Sequence, residues 1–121
     1  MATRPTYERL RIDARDIDAA GRAAWSALAD RAVEPNPFFR PEFALANMAE
    51  RGVPLELLVV RDGAQWLACL PVRRRRPTSR LPFPTLEVMT DEYSFLGTLL
   101  LDRDHRDAAA EAFLDLVEDE R

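Results

Sequence analysis

The chain lacks features on which several classes of protein depend. Cys69 is its only cysteine, so neither an intramolecular disulfide nor a cysteine-based zinc cluster can form. The N-terminus has no apolar signal-peptide core, and no apolar run reaches the roughly 18 residues that cross a bilayer. We therefore expect no membrane span, and a cytoplasmic location is the default.

Lysine is also missing, because all 17 basic residues are arginine. This bias is more typical of a GC-rich genome than of a functional need for guanidinium groups. The 21 acidic residues give a net charge of -4, so the chain as a whole does not attract nucleic acid. His105 is the single histidine, and it has neither the nucleophile of a triad nor further metal ligands beside it. We expect no nucleic-acid partner and no metal site.

Hydrophobic periodicity divides the first half of the chain into a strand and two helices. Residues 7–13 alternate as in a half-buried strand. The period then becomes helical, with Asp16 as a cap and an end near Arg31. Pro41 suits the first position of a second helix, and Gly52 supplies its stop signal.

The second half begins with the clearest strand signals in the chain. Residues 55–61 and 65–72 are apolar and partly β-branched, and Asp62-Gly63 between them predicts a hairpin turn. Pro71 lacks a backbone donor, so the second strand should be bulged, at an edge, or splayed from its next neighbour there.

The rest of the chain predicts extended segments at 85–89 and 94–101 and a helix at 108–116. The whole order is strand, helix, helix, strand, strand, one or more further strands, then helix. It predicts an α/β fold with a mainly antiparallel sheet and flanking helices, built as one domain over residues 1–121.

Three segments carry a resemblance to a known family. Residues 34–43 read Glu-Pro-Asn-Pro-Phe-Phe-Arg-Pro-Glu-Phe, a proline-locked elbow between the two helices. Together with Trp25-Ser26-Ala27-Leu28 and Leu96-Gly97-Thr98-Leu99-Leu100-Leu101-Asp102, it resembles the N-terminal part of GNAT-like acyltransferases of the CelD/BcsL group. Leu99 departs from the proline that commonly stands there in the related motif.

The resemblance implies a role in a larger enzyme. The complete enzyme would use acetyl-CoA or another acyl-CoA and would act on exopolysaccharide or cell-envelope material, with a glycan or an amine as acceptor. The chain is shorter than two-lobed relatives, so we expect it to be an N-terminal half that supplies scaffold and acceptor contacts. Its partner would be a missing C-terminal GNAT-like lobe or a second copy of the chain.

The expected coenzyme loop differs from the family pattern. A GNAT-like site needs a glycine-containing loop whose amides hold the pyrophosphate where the fourth strand feeds the third helix. Residues 102–107 contain no glycine and three carboxylates, and Asp104 can cap the following helix. We expect a structural helix start here and no coenzyme bound by this chain alone.

Two polar segments are candidate binding sites. The run Arg73, Arg74, Arg75, Arg76 is either a solvated, edge-protecting segment or an anion-binding edge, and alternate side chains of a strand face opposite sides. The group Asp91, Glu92, Tyr93 is either a polar connection or a contact for sugar hydroxyls or an amine. Phe39 of the elbow is either a core anchor or an acceptor contact.

These alternatives leave two function classes open. The first is the acyltransferase lobe, and the second is a non-catalytic interaction or self-assembly domain that keeps a degenerate GNAT-like fold. Catalytic residues are unknown in either case.

Overall fold

The computed structural model describes residues 7–33, 37–52, 54–75, 85–88 and 99–119. Five strands and three helices follow one another as β1 (Glu8–Asp13), α1 (Ala19–Asp30), α2 (Pro41–Arg51), β2 (Glu56–Asp62), β3 (Gln65–Arg75), β4 (Thr85–Val88), β5 (Leu100–Leu101) and α3 (Arg106–Asp119). Single 3-10 turns at Ala14–Asp16 and Pro37–Phe39 precede α1 and α2. The architecture is α/β with an antiparallel sheet and flanking helices, which confirms the predicted fold class.

The sheet has the order β1-β2-β3-β4, with β5 also on β3, and every one of these pairings is antiparallel. Asp62 pairs with Gln65, so the hairpin turn consists of Gly63 and Ala64, one residue later than the sequence predicted. Gly63 has φ of 59°, and a positive φ at the first of two turn residues alone is the pattern of a type II′ turn.

β4 and β5 lie along the same edge of β3 and continue one another. Val72 to Arg75 pair with β4, whereas Ala68 and Cys69 pair with β5. Pro71 lies between these two sets of β3 residues and pairs with Leu57 of β2 on its other side. The residues that follow Val88 lie outside the described ranges, so a splayed neighbour at Pro71 stays a prediction.

A β-bulge near the start of β3 sets which residues face each side of the sheet. Arg61 pairs with Trp66 and Val60 pairs with Ala68, so Leu67 is the extra residue. Leu67 and Ala68 both join the core under α3, while Trp66 joins the core under α1 and α2. Strict alternation would have placed Trp66 and Ala68 on the same face.

The core under α1 and α2 is the larger of the two layers. α1 buries Trp25, Leu28 and Ala29, and the Trp25 indole stacks on Trp66 with ring centroids 6.4 Å apart. The helix cap differs from the prediction: the Asp18 carboxylate, not that of Asp16, accepts the capping amide, from Gly21 at 2.7 Å. Asp16 lies in the first 3-10 turn, so α1 begins only at Ala19.

The elbow between α1 and α2 is fixed by a buried hydrogen bond. Trp25 Nε1 donates to the Phe39 carbonyl at 2.8 Å, and neither side chain has exposed surface. α2 begins with Pro41 as predicted and ends at Gly52, whose φ of 67° is the left-handed conformation that glycine favours.

α3 covers the opposite face of the sheet. Ala109, Phe113 and Leu116 are buried there against the even-numbered positions of β2, Leu58 and Val60. Cys69 is buried on the other face, where burial raises the pKa of its thiol and keeps it protonated. Within the ranges described above, no helix is both long and apolar enough to cross a membrane.

Candidate functional site

The sequence-predicted site residues fall into three groups in the structure. Asp91, Glu92, Tyr93 and Arg76 lie outside the described residues, as do the side chains of Arg74 and Arg75. Arg73 is half-buried on β3 opposite Glu87 of β4. Phe39 is fully buried, which agrees with its reading as a core anchor. Its contact with an acceptor stays a prediction, as do the roles of the other residues.

Asp102, at the end of β5, is the centre of a polar cluster that the sequence analysis did not single out. Its side chain has no exposed surface and accepts a hydrogen bond from Arg31 Nε at the end of α1. The Asp104 amide donates to Asp102 Oδ1 at 2.8 Å. Gln65 Nε2 donates at 3.5 Å to Asp102 Oδ2, the oxygen that also accepts from Arg31. The Arg31 guanidinium also donates to the Trp66 carbonyl at 2.8 Å. The cluster ties α1, β3 and β5 together.

The electrostatics of this cluster keep Asp102 ionised. Burial by itself would raise the pKa of the carboxyl, but the hydrogen bonds from Arg31 and the Asp104 amide, with His105 nearby, outweigh burial and hold the pKa below its ordinary value. His105 Nδ1 is 3.4 Å from the carboxylate without forming a hydrogen bond. An aspartate that is ionised at neutral pH is thus buried beside a guanidinium.

The backbone amides of the loop before α3 are already bonded within the protein. Arg103 N donates to the Arg31 carbonyl, Asp104 N to the Asp102 side chain and His105 N to the Asp102 carbonyl, at 3.2, 2.8 and 3.2 Å. Asp102 thus accepts two of these three loop amides, and Arg31 accepts the third. Asp104 is exposed, and its predicted role as the cap of the following helix stays a prediction.

The outer edge of β5 is also occupied. Val33 N donates to the Leu101 carbonyl at 2.8 Å, and Ala32 forms an antiparallel bridge with Asp102. The segment after α1 therefore covers the edge of the strand that leads into the Asp102 loop.

A separate cavity of about 280 Å³ opens between the first turns of α1 and the β2–β3 hairpin. Its walls come from β1, the 3-10 turn, α1 and the hairpin, through Ile12, Asp16, Ile17, Asp18, Ala20, Gly21, Ala24, Arg61, Ala64 and Trp66. Asp16 and Asp18 are exposed at its rim. The cavity was not predicted, since it depends on which elements pack together.

Arg61, the one cationic side chain in the cavity wall, already forms an ion pair with Glu8. Arg61 donates to Glu8 Oε2 through Nε, and its Nη2 lies 2.6 Å from the same oxygen. The rim therefore carries two carboxylates and a guanidinium that is already neutralised by Glu8. No group of three or more acidic, histidine or cysteine side chains with metal-site geometry occurs among the residues that the structure describes.

Comparisons with protein-family models, with curated proteins and with solved structures found no match to this chain. The function is therefore argued from the fold and from these two sites.

Proposed function

We propose that this chain is the N-terminal lobe of a GNAT-like acyltransferase and that it supplies scaffold and acceptor contacts, while another lobe holds acyl-CoA. The observation that carries the proposal is the hydrogen bonding of residues 103–105. A coenzyme loop needs free amides for the pyrophosphate. Here those three amides donate to Arg31 and Asp102, and the buried Asp102 carboxylate would repel a phosphate at the same place.

The element order supports the same function. β4 and β5 pair with the same edge of β3, so the chain runs strand, two helices, two strands, this edge and then α3. This order is the one expected for the first part of a GNAT-like fold, where the fourth strand feeds the third helix. The segment Ala32–Val33 along β5 is a further reason to expect the coenzyme on another lobe.

The direct test is calorimetry with acetyl-CoA at moderate salt. We expect weak binding or none, because the loop amides are occupied and the loop carries carboxylates. The double variant Arg103→Ala/Arg106→Ala should behave as the parent does, and so should the matched control Arg11→Ala/Arg22→Ala. Micromolar binding by the parent that only the first double variant removes would contradict the proposal, since it would identify a working coenzyme loop.

The coding sequence beyond Arg121 gives the complementary test. A second GNAT-like half with a glycine-containing phosphate loop supports the acyltransferase, and the two halves expressed together should then transfer an acetyl group to an amine or glycan acceptor. An immediate stop codon would favour the interaction domain instead.

The alternative, a self-assembling or interaction domain, needs an open sheet edge. Among the described residues β1 pairs with β2 alone, which leaves such an edge. Exposed charges at Glu8, Arg9 and Arg11 are the kind of residue that disfavours strand addition. We therefore rank the acyltransferase lobe first, and a monomer in size-exclusion chromatography would agree with that ranking.

A further inference from the structure

The cavity beside α1 lies away from the loop in which the coenzyme of a GNAT-like enzyme is expected. It contacts the first turns of α1, whereas Asp102 binds Arg31 at the other end. The two places meet at Trp66, whose side chain lines the cavity and whose carbonyl accepts from Arg31, but none of the loop residues 103–105 lines the cavity. The inference drawn from the cavity therefore stands whether or not the chain belongs to an acyltransferase.

The walls of the cavity are mostly apolar and are set by small side chains. Ala20, Ala24 and Ala64 line it without filling it, and Trp66, only 2% exposed, closes it from below. A Cβ added to Gly21 would come within 3.0 Å of Ile17 Cγ1, so that wall is already closely packed. A volume of about 280 Å³ is close to the lower limit of small-molecule sites, which run from roughly 300 Å³ upward.

The charge at the rim selects the sign of the ligand. Asp16 and Asp18 are exposed there, and Arg61 is paired with Glu8. A helix N-terminus ordinarily favours an anion. In α1, however, the Asp18 carboxylate already accepts the Gly21 amide, and Asp16 adds a second negative charge nearby. An entering anion would meet two carboxylates and no unpaired guanidinium from the cavity wall.

We propose that this cavity binds a small organic cation, an ammonium group carried on an apolar body of phenyl size. The apolar body occupies the space over Trp66 that the three alanines leave. The ammonium group remains at the rim, where it approaches Asp16 and Asp18 without being buried. Burial of apolar surface supplies most of the affinity, and the two carboxylates supply the preference for a cation.

The two tryptophans of the chain provide a site-specific readout. Their indole N–H groups give two resolved signals in a ¹H–¹⁵N correlation spectrum, one for Trp66 in the cavity wall and one for Trp25, which binds the Phe39 carbonyl. The probes are phenethylammonium, 2-phenylethanol and 3-phenylpropionate, which have similar shapes and charges of plus one, zero and minus one. The Trp66 signal should shift on titration, with affinity in the order cation, alcohol, carboxylate.

Two sets of variants test the apolar and charged parts separately. Ala20→Phe fills the cavity and should abolish binding, while Ala27→Phe on the exposed side of the same helix should leave it unchanged. Asp16→Asn/Asp18→Asn keeps a capping side chain at 18 and should weaken the cation about three- to tenfold, as expected for two exposed charge contacts. Asp107→Asn/Glu118→Gln on α3 makes the same charge change outside the cavity and should have little effect.

Three outcomes would overturn the inference. The first is a Trp66 signal that does not respond to phenethylammonium. The second is equal affinity for the ammonium compound and the alcohol, which would mean that the carboxylates contribute nothing. The third is binding that survives Ala20→Phe. None of these outcomes changes the result expected for acetyl-CoA binding, so the cavity proposal and the proposed function can fail independently of each other.

Discussion

At the scale of single residues, Asp102 shows how a buried charge is kept in a small fold. Removing an aspartate from water is costly unless its oxygens are paired and hydrogen-bonded. Arg31 and the Asp104 amide do both, and the same guanidinium also binds the Trp66 carbonyl next to the bulge. One ion pair therefore connects the end of α1 to two strands, which is a structural role.

The lowered pKa of Asp102 predicts how stability depends on pH. The carboxyl binds its proton more weakly in the folded chain than in the unfolded chain, where its pKa has the ordinary value of 3.8. Its contribution to the free energy of unfolding is therefore complete above about pH 5 and is lost as the pH falls through the folded pKa. Asp102→Asn should cost about 2–3 kcal/mol at pH 7, because an amide faces Arg31 without the charge.

Urea unfolding of the parent and of Asp102→Asn at pH 7 and pH 3 measures this effect. The difference between them should shrink at pH 3, below the ordinary value of 3.8, because the carboxyl of the unfolded parent then binds a proton and the folded state loses part of its advantage. Asp104→Asn, an exposed neighbour, should stay within about 0.5 kcal/mol of the parent at both pH values. If the free energies of unfolding of the two proteins differ by the same amount at both pH values, the charge of Asp102 does not contribute to stability.

At the scale of elements, β3 carries the features that organise the sheet. Its bulge at Leu67 turns Trp66 toward α1, and its later residues pair first with β5 and then with β4. The strand then continues through Arg75, so the arginine run begins as a strand paired with β4. Arg73 lies opposite Glu87 in that register, so this part of the run is paired with a neighbouring strand.

The arginine run makes a prediction that depends on strand alternation. If it is an anion site, one alternating pair should dominate binding of an acidic glycan, because only side chains on one face converge. Titration of Arg73→Ala/Arg75→Ala against Arg74→Ala/Arg76→Ala, with salt raised from low to physiological strength, compares the two faces. We expect small and equal losses for both pairs, or no binding by the parent. A large loss confined to one pair would establish a site.

At the scale of the whole molecule, the sheet is covered on both faces and the two layers differ in kind. The α3 layer rests mainly on aliphatic contacts, with Phe113 buried in it and Tyr7 packed against it. The α1 and α2 layer contains the stacked pair Trp25 and Trp66 together with Phe39, and the elbow hydrogen bond lies inside it. The stability of the domain should therefore be most sensitive to changes at the elbow.

Phe39→Ala tests this sensitivity. The side chain has no exposed surface, so its removal leaves a cavity and should cost about 3–5 kcal/mol, a large part of the stability of a small domain. Thermal and urea unfolding measure the change, and Phe43→Ala, at a partly exposed position of α2, serves as the milder control. A Phe39→Ala protein that unfolds as the parent does but loses a ligand would assign the residue to a binding site.

The sequence by itself determined the elements whose signals are local. Proline at 41 and glycine at 52 mark the ends of α2, and two apolar, partly β-branched runs with a turn between them mark β2 and β3. Such signals depend on backbone geometry within a few residues, so they can be read without knowing the fold. Asp16 was the wrong helix cap because Asp18, two residues on, has the same cap chemistry.

Only the tertiary structure decided what depends on distant residues. Arg31 and Asp102 are 71 positions apart, and no pattern near either one indicates the other. The bulge at Leu67 arises from the register of β3 against β2, and it places Trp66 both against Trp25 and at the base of the cavity. The polar cluster and the cavity exist because packing brings separate segments together, and local preferences carry no information about that packing.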